Sequence, residues 1–185
     1  MVGQPLPVQP AVGPAVTPRL ALNFVLFQAG WFACVMLAAR DHAVWAVLAV
    51  APIVIVRLAG SAQPVRTVLL LLWVTLIGFA WDSVVMASGA QAYASGAWLP
   101  GLAPGWIVAM WTLFGTLLGV SLRWLRGRPL LAAAFGLVGG PLAYAGGARL
   151  GAVTLRDPLL AVLLEGAGWA ALTPLLVRLE ERFDD

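Results

Sequence analysis

The sequence predicts an all-α membrane protein, a single bundle of six transmembrane helices, and both its composition and its apolar runs support this fold class. Of its 185 residues, 62% are hydrophobic and only 10% are charged, whereas a soluble domain carries about 25% charged residues. The mean hydropathy is +0.94. A chain with so few polar side chains lacks the surface that water requires, so we expect its solvent to be lipid.

Six apolar runs define the predicted spans, because a helix of about 20 residues crosses the bilayer core. Charged residues, glycines and prolines separate the runs. Pro52 interrupts the second run, where it removes a backbone donor and predicts a kink. The predicted spans are residues 20–39, 43–58, 65–87, 106–122, 129–148 and 158–177.

The spans belong to one domain, residues 19–178, which two tails flank. Residues 1–18 contain five prolines and no charged side chain, a composition that favours a disordered tail. Residues 179–185 form a charged C-terminal tail.

The arginines predict the orientation of the bundle. Six spans place both termini on one side, and that side carries eight arginines against three on the other, Arg40, Arg149 and Arg156. The positive-inside rule then places both termini in the cytoplasm. The eight arginines are Arg19, Arg57, Arg66, Arg123, Arg126, Arg128, Arg178 and Arg182.

The same composition argues against several functions. The arginines are spread over the ends of the spans and form no basic face, so we expect no nucleic-acid partner. With one histidine and one cysteine in the chain, we expect no metal site built from these residues and no intrachain disulfide. No motif for a cofactor is present, and we expect none.

Two acidic residues within the spans mark a candidate ligand-binding site. At 1.5 Å per residue, Asp82 lies about 24 Å beyond Arg66 and Glu165 about 10 Å beyond Pro158, so both lie toward the outer leaflet. Arg149 ends the fifth span at a similar depth. Either Arg149 forms a structural ion pair with one of the acids, or the three line a polar pocket, and the two interpretations are compatible.

Two further polar side chains belong to this candidate site. Tyr144 follows the Gly139-Gly140-Pro141 sequence, where a bend in mid-membrane would let it line a pocket. Gln28 in the first span either hydrogen-bonds a neighbouring helix or contacts the ligand.

Small residues and arginines suggest two other surfaces. Rows of glycine and alanine on the fifth span predict close packing against the fourth span, or a face that binds a partner protein or a second copy of the chain. Three arginines between these two spans, Arg123, Arg126 and Arg128, fix the topology and attract anionic lipid headgroups. A dedicated phospholipid-headgroup pocket is the more specific hypothesis for them.

The residue patterns of known catalytic sites are mostly incomplete in this sequence, which favours a binding protein over an enzyme. A serine nucleophile needs a nearby base, but the only histidine, His42, lies in an outer turn far from Ser121. Asp82 and Glu165 remain as a weak acid–base pair.

Four runs of the sequence, in order, resemble a family of short bacterial inner-membrane proteins described only as a domain of unknown function, DUF2878. They are NFVLFQAGWFACV, WDSVV, SLRWLRGRPLLAA and GGPLAYAGGARLGAV. The resemblance covers residues 20–177. The family pattern has a histidine before the third run, where this chain has Val120. The resemblance implies a membrane protein and assigns no role to the motif members Asn23, Gln28, Asp82, Arg123, Arg126 and Arg149.

Together these observations predict a multi-pass protein that binds or transports a lipid or a small amphiphile at an outer-leaflet polar pocket. One alternative is an enzyme of lipid modification or its membrane subunit. Another is a scaffold that recruits a second membrane protein.

Overall fold

Six α-helices, one over each predicted span, make up most of the computed structural model, which describes residues 17–184. The predicted N-terminal tail falls almost entirely outside these residues. The helices are α1 (Pro18–Ala39), α2 (Ala43–Ala59), α3 (Pro64–Ala87), α4 (Gly105–Leu118), α5 (Pro129–Arg149) and α6 (Pro158–Asp184).

Proline sets the start of the four longest helices, which begin at Pro18, Pro64, Pro129 and Pro158. The first turn of a helix has no partner for its N–H groups, and proline both lacks that group and fixes φ near the helical value. Helix α6 ends only at Asp184, so the charged residues predicted as a tail continue this helix.

The helices differ in length and in burial. Helices α1, α3, α5 and α6 are long and apolar enough to cross a membrane, whereas α2 and α4 are shorter. In α4, ten of the fourteen residues are buried. A helix that is apolar on all sides belongs in the interior of a bundle, and α4 lies there, packed against α1, α2 and α3.

The packing of α5 differs from the sequence prediction. Helix α5 packs along α6 instead of α4. Its Gly136 and Gly140 lie against Trp169 of α6, whereas Gly115 of α4 lies against Leu71 and Val74 of α3. The prediction that the small-residue rows join α4 to α5 is therefore wrong, because spacing along a helix does not reveal which neighbour its row faces.

The helices alternate in direction, which gives the bundle two ends. Helix α1 begins and α6 ends at one end, together with most of the arginines; we call this end the arginine face. At the other end, the sheet face, strand β1 (Gln91–Tyr93) pairs antiparallel with β2 (Val153–Leu155). The all-α prediction did not include this two-stranded sheet, since three-residue strands are too short to show an alternating pattern.

Candidate functional site

A groove of about 590 Å³ runs along the bundle between α1 and α5, with α4 as its floor. On α1 its lining extends from Leu20 to Val35, which corresponds to about 22 Å of helix. On α5 it extends from Phe135 to Gly147. The groove therefore covers most of the depth of a bilayer core, which is about 30 Å.

Side-chain size keeps this groove open. Gly139, Ala143 and Gly147 recur every four residues and present one row of small side chains to it, as the helical period requires. A Cβ atom placed on Gly139 would have Phe135 Cε1, at 4.0 Å, as its nearest neighbour. Toward the sheet face, the ring of Trp31 on α1 lies 3.2 Å from the position that a Cβ atom added to Gly146 of α5 would take.

The groove lining is almost entirely apolar and aromatic, with three polar side chains, Gln28, Ser121 and Tyr144. Ser121 is engaged at the arginine face, where its hydroxyl lies 2.7 Å from Asn23 Oδ1. Tyr144 lies toward the sheet face, and its hydroxyl donates to Asp82 Oδ1 at 2.6 Å.

Asp82 lies behind Tyr144, outside the groove lining, and 0% of its surface is exposed. Besides Tyr144, the hydroxyl of Tyr93 donates to its Oδ1, and the indole of Trp111 donates to its Oδ2 at 2.5 Å. Three donors on three different elements thus converge on one carboxyl group. An acceptor with this many donors satisfies the requirement that buried polar groups be hydrogen-bonded.

Glu165 is joined to Asp82 through β1. Nε2 of Gln91 donates to Glu165 Oε1 at 2.8 Å and to the hydroxyl of Tyr93 at 3.0 Å. Glu165 and Gln91 are each 1% exposed. Pairing of β1 with β2 holds Gln91 and Tyr93 above the ends of α3 and α6, so the small sheet positions two of the groups that connect the acids.

Arg149 takes no part in this network. Its side chain is exposed, and the three ion pairs found in residues 17–184 all lie at the arginine face. The predicted ion pair between Arg149 and either acid is therefore wrong. Asp82 and Glu165 are also absent from the groove lining, so Tyr144 and Gln28 are the two members of the predicted ligand-binding set that line this groove.

Sequence reasoning did not identify Gln91, Tyr93 and Trp111 as members of the site. Gln91 and Tyr93 lie in the uncharged segment between the third and fourth predicted spans, and Trp111 resembles any other aromatic residue of an apolar helix. Asn23 shows the helix–helix bonding expected of a polar residue in a span, since its Nδ2 donates to the Thr116 carbonyl oxygen at 3.1 Å.

The arginine cluster divides into paired and exposed members. Arg126 Nε donates to Glu180 at 2.8 Å, and its guanidinium lies 2.7 Å from the carboxylate of Asp184. The hydrogen bond that Arg126 donates to Asp184 lowers the pKa of this carboxyl group below its usual value. Arg123 reaches the same Asp184 at 3.1 Å, whereas Arg128 is exposed. Headgroup binding by these three arginines stays a prediction.

The chain is of the polytopic α-helical class, since its long apolar helices and the apolar side chains on the outside of the bundle indicate a membrane protein. The chain belongs to the family described as "Protein of unknown function (DUF2878)", whose model matches residues 20–175 and confirms the resemblance seen in the sequence. No curated protein and no solved structure matches the chain. Across residues 17–184, no group of three or more side chains is placed to hold a metal ion.

Proposed function

We propose that this protein crosses the bacterial inner membrane six times, with both ends cytoplasmic, and binds a lipid or a small amphiphile in the groove between α1 and α5. The observation that carries the proposal is the groove itself, a long apolar channel with few polar side chains along it. Its volume of about 590 Å³ falls within the range of about 300–1,000 Å³ typical of small-molecule sites.

The shape of the groove favours an elongated occupant. A compact ligand would fill one part of the 22 Å lining, whereas an extended acyl chain would contact α1, α4 and α5 along their length. Lipid tails outside the bundle are as apolar as the groove, so burial of apolar surface does not by itself select the occupant. The selectivity would come from the fit of the occupant's shape to the aromatic side chains of the groove lining and from hydrogen bonds to Tyr144 and Gln28.

The extent of the groove supports binding or transport. Its lining begins at Leu20 and Ser121 near the arginine face and reaches Val35 and Gly147 near the sheet face. An amphiphile seated here would keep its chain at membrane depth while its polar end reached one of the two faces.

The groove can be filled without disturbing the helix packing. We expect Ala143→Leu to occupy the groove, because Ala143 lines it. Ala134→Leu is the matched control, since Ala134 is an exposed residue of the same helix outside the groove lining. The protein is extracted with its surrounding lipid in polymer discs, and bound amphiphiles are quantified by mass spectrometry.

The expected result is one lipid class enriched over the surrounding membrane in the wild type and in Ala134→Leu, and no enrichment in Ala143→Leu. Equal lipid profiles in all three proteins would contradict the proposal. Co-purification of a protein that only Ala143→Leu loses would instead favour the scaffold hypothesis, in which a partner helix occupies the groove.

An enzyme of lipid modification, or its membrane subunit, is the second candidate function. The observation that favours it is the contact between Tyr144, which lines the groove, and the buried Asp82. In the same lipid profiles, a modified form of one lipid that disappears in Tyr144→Phe, while the bound amount stays constant, would support it.

A further inference from the structure

Toward the sheet face, polar side chains of the groove lining direct their hydrogens away from the groove. Trp106, Trp111 and Tyr144 all line it, and each donates to an acceptor outside it. The hydroxyl of Tyr144 and the indole of Trp111 donate to Asp82 at 2.6 and 2.5 Å. The indole of Trp106 donates to the Ser95 carbonyl oxygen at 3.1 Å. These hydrogens are therefore not available to an anionic group, which needs donors or cations around it.

Buried acids lie behind the same part of the groove. Asp82 lies behind Tyr144, and the indole N–H of Trp169, a further lining residue, is buried beside Glu165. Neither acid forms an ion pair within residues 17–184. Negative charge on this pair would repel an anion in the groove, and a neutral pair would not attract one.

The arginines of the sheet face do not offset this. Arg149 follows the lining residue Gly147 by two positions, about 200° around α5, and so lies on the far side of the helix from the groove. Arg40 donates to a carbonyl oxygen of its own helix at 3.2 Å. The exposed Arg156 has the exposed Asp157 as its neighbour in the sequence.

The arginine face has a large excess of positive charge. Within residues 17–184 it carries eight arginines against three acidic residues, which are Glu180, Glu181 and Asp184. Arg128 is exposed and takes part in none of the three ion pairs found in the described residues.

Arg128 also lies on the groove side of α5. It directly precedes this helix and is seven positions from the lining residue Phe135, which places the two about 20° apart around the helix. Trp124, another lining residue, packs edge to face on Phe135 with ring centroids 6.1 Å apart. The lining therefore reaches within four residues of Arg128 along the chain.

We propose that the occupant of the groove is an amphiphile with an anionic head group, held with its head at the arginine face beside Arg128 and its chain toward Tyr144. This inference rests on the proposed function and adds the charge and the direction of the ligand. The group that reaches Tyr144 is apolar or a hydrogen-bond donor, because this hydroxyl retains acceptor lone pairs but no free hydrogen. The field of the arginine face would also attract an anionic ligand to this end.

Two photoreactive forms of one alkyl sulfonate test the direction. One form carries the photoreactive group beside the sulfonate and the other carries it at the end of the chain. Specific labelling of the protein in polymer discs is the part that Ala143→Leu removes. We expect the first form to label residues 20–24 and 121–124, and the second to label residues 139–147. The reverse assignment, or the same labels with both forms, would overturn the proposal.

Displacement of the label by unlabelled amphiphiles tests the charge. An alkyl sulfonate and an alkyltrimethylammonium ion with the same chain are compared at equal membrane-bound concentrations. We expect the sulfonate to bind at least about fivefold more tightly, the effect of about one arginine at a membrane surface. Equal displacement by the two head groups would contradict the inference.

A matched pair of arginine variants locates the head group. Arg128→Gln should weaken sulfonate binding about fivefold. Arg66→Gln is the control, because Arg66 is an exposed arginine of the same face on α3, which contributes no residue to the groove lining. Screening by salt should keep its effect below about twofold. Equal effects of the two variants would overturn the placement of the head beside Arg128.

The same labels separate this inference from the proposed function. If neither form gives labelling that Ala143→Leu removes, amphiphile binding in the groove is wrong and the inference is wrong with it. If such labelling occurs without a preferred direction or head-group charge, only the inference is wrong.

Discussion

The contact between α5 and α6 allows a paired glycine test within one helix. A Cβ atom on Gly136 would overlap the backbone carbonyl group of Trp169 and the hydroxyl of Thr173. Backbone atoms do not rotate aside, so Gly136→Ala must push the two helices apart. A Cβ on Gly139, three positions later, has its nearest neighbour at 4.0 Å and needs no movement.

We expect Gly136→Ala to lower the free energy of unfolding by about 1–3 kcal/mol, the usual cost of overpacking. Gly139→Ala should be neutral or stabilising by up to about 1 kcal/mol, because alanine is the better helix former. Thermal and denaturant unfolding in the same detergent measure both changes. Equal losses of stability would refute the close α5–α6 contact, since both substitutions add one methyl group to the same helix.

Two further predictions concern the arginine face. Arg126→Ala leaves the buried Glu180 without its partner and should lower the free energy of unfolding by about 3 kcal/mol, the lower end for a broken buried pair, because Arg57 stays nearby. Arg123→Ala removes a largely exposed ion pair and should lower it by less than about 1 kcal/mol. Unfolding measurements on both variants compare the two losses. The lowered pKa of Asp184 means that its pairing stabilises the protein above the usual aspartate pKa of about 3.9 and that this stability is lost as the pH falls through the lowered value. Asp184→Asn should remove that acid-dependent part of the unfolding curve, and an unchanged curve would count against the pairing.

The helices could be predicted from the sequence because their signals are local. Apolar runs of the right length and a proline at each long start define segments such as Pro64–Ala87 without knowledge of their neighbours. The number of membrane crossings is a different matter. The central helix α4 has only 14 residues, so its length alone does not establish that it crosses the membrane.

The candidate site could be predicted only in part, because depth in the membrane does not give direction around a helix. Arg149 and Tyr144 are five positions apart, which places them about 140° apart on α5. Since Tyr144 faces inward to Asp82, Arg149 points away from both acids. Gln91 could not be predicted as a member of the site for another reason. It contacts Glu165 only because β1 pairs with β2, and this pairing joins segments far apart in the sequence.

Photolabelling of the groove tests the central claim most directly. A fatty acid that carries a photoreactive group is added to membranes containing the wild-type protein, and the labelled residues are located by mass spectrometry of its peptides. Binding in the groove predicts labels concentrated on residues 24–31 of α1 and 139–147 of α5, and reduced in Ala143→Leu. Labels spread evenly over outward residues such as Leu137 and Val138, which are 52% and 58% exposed, would contradict it.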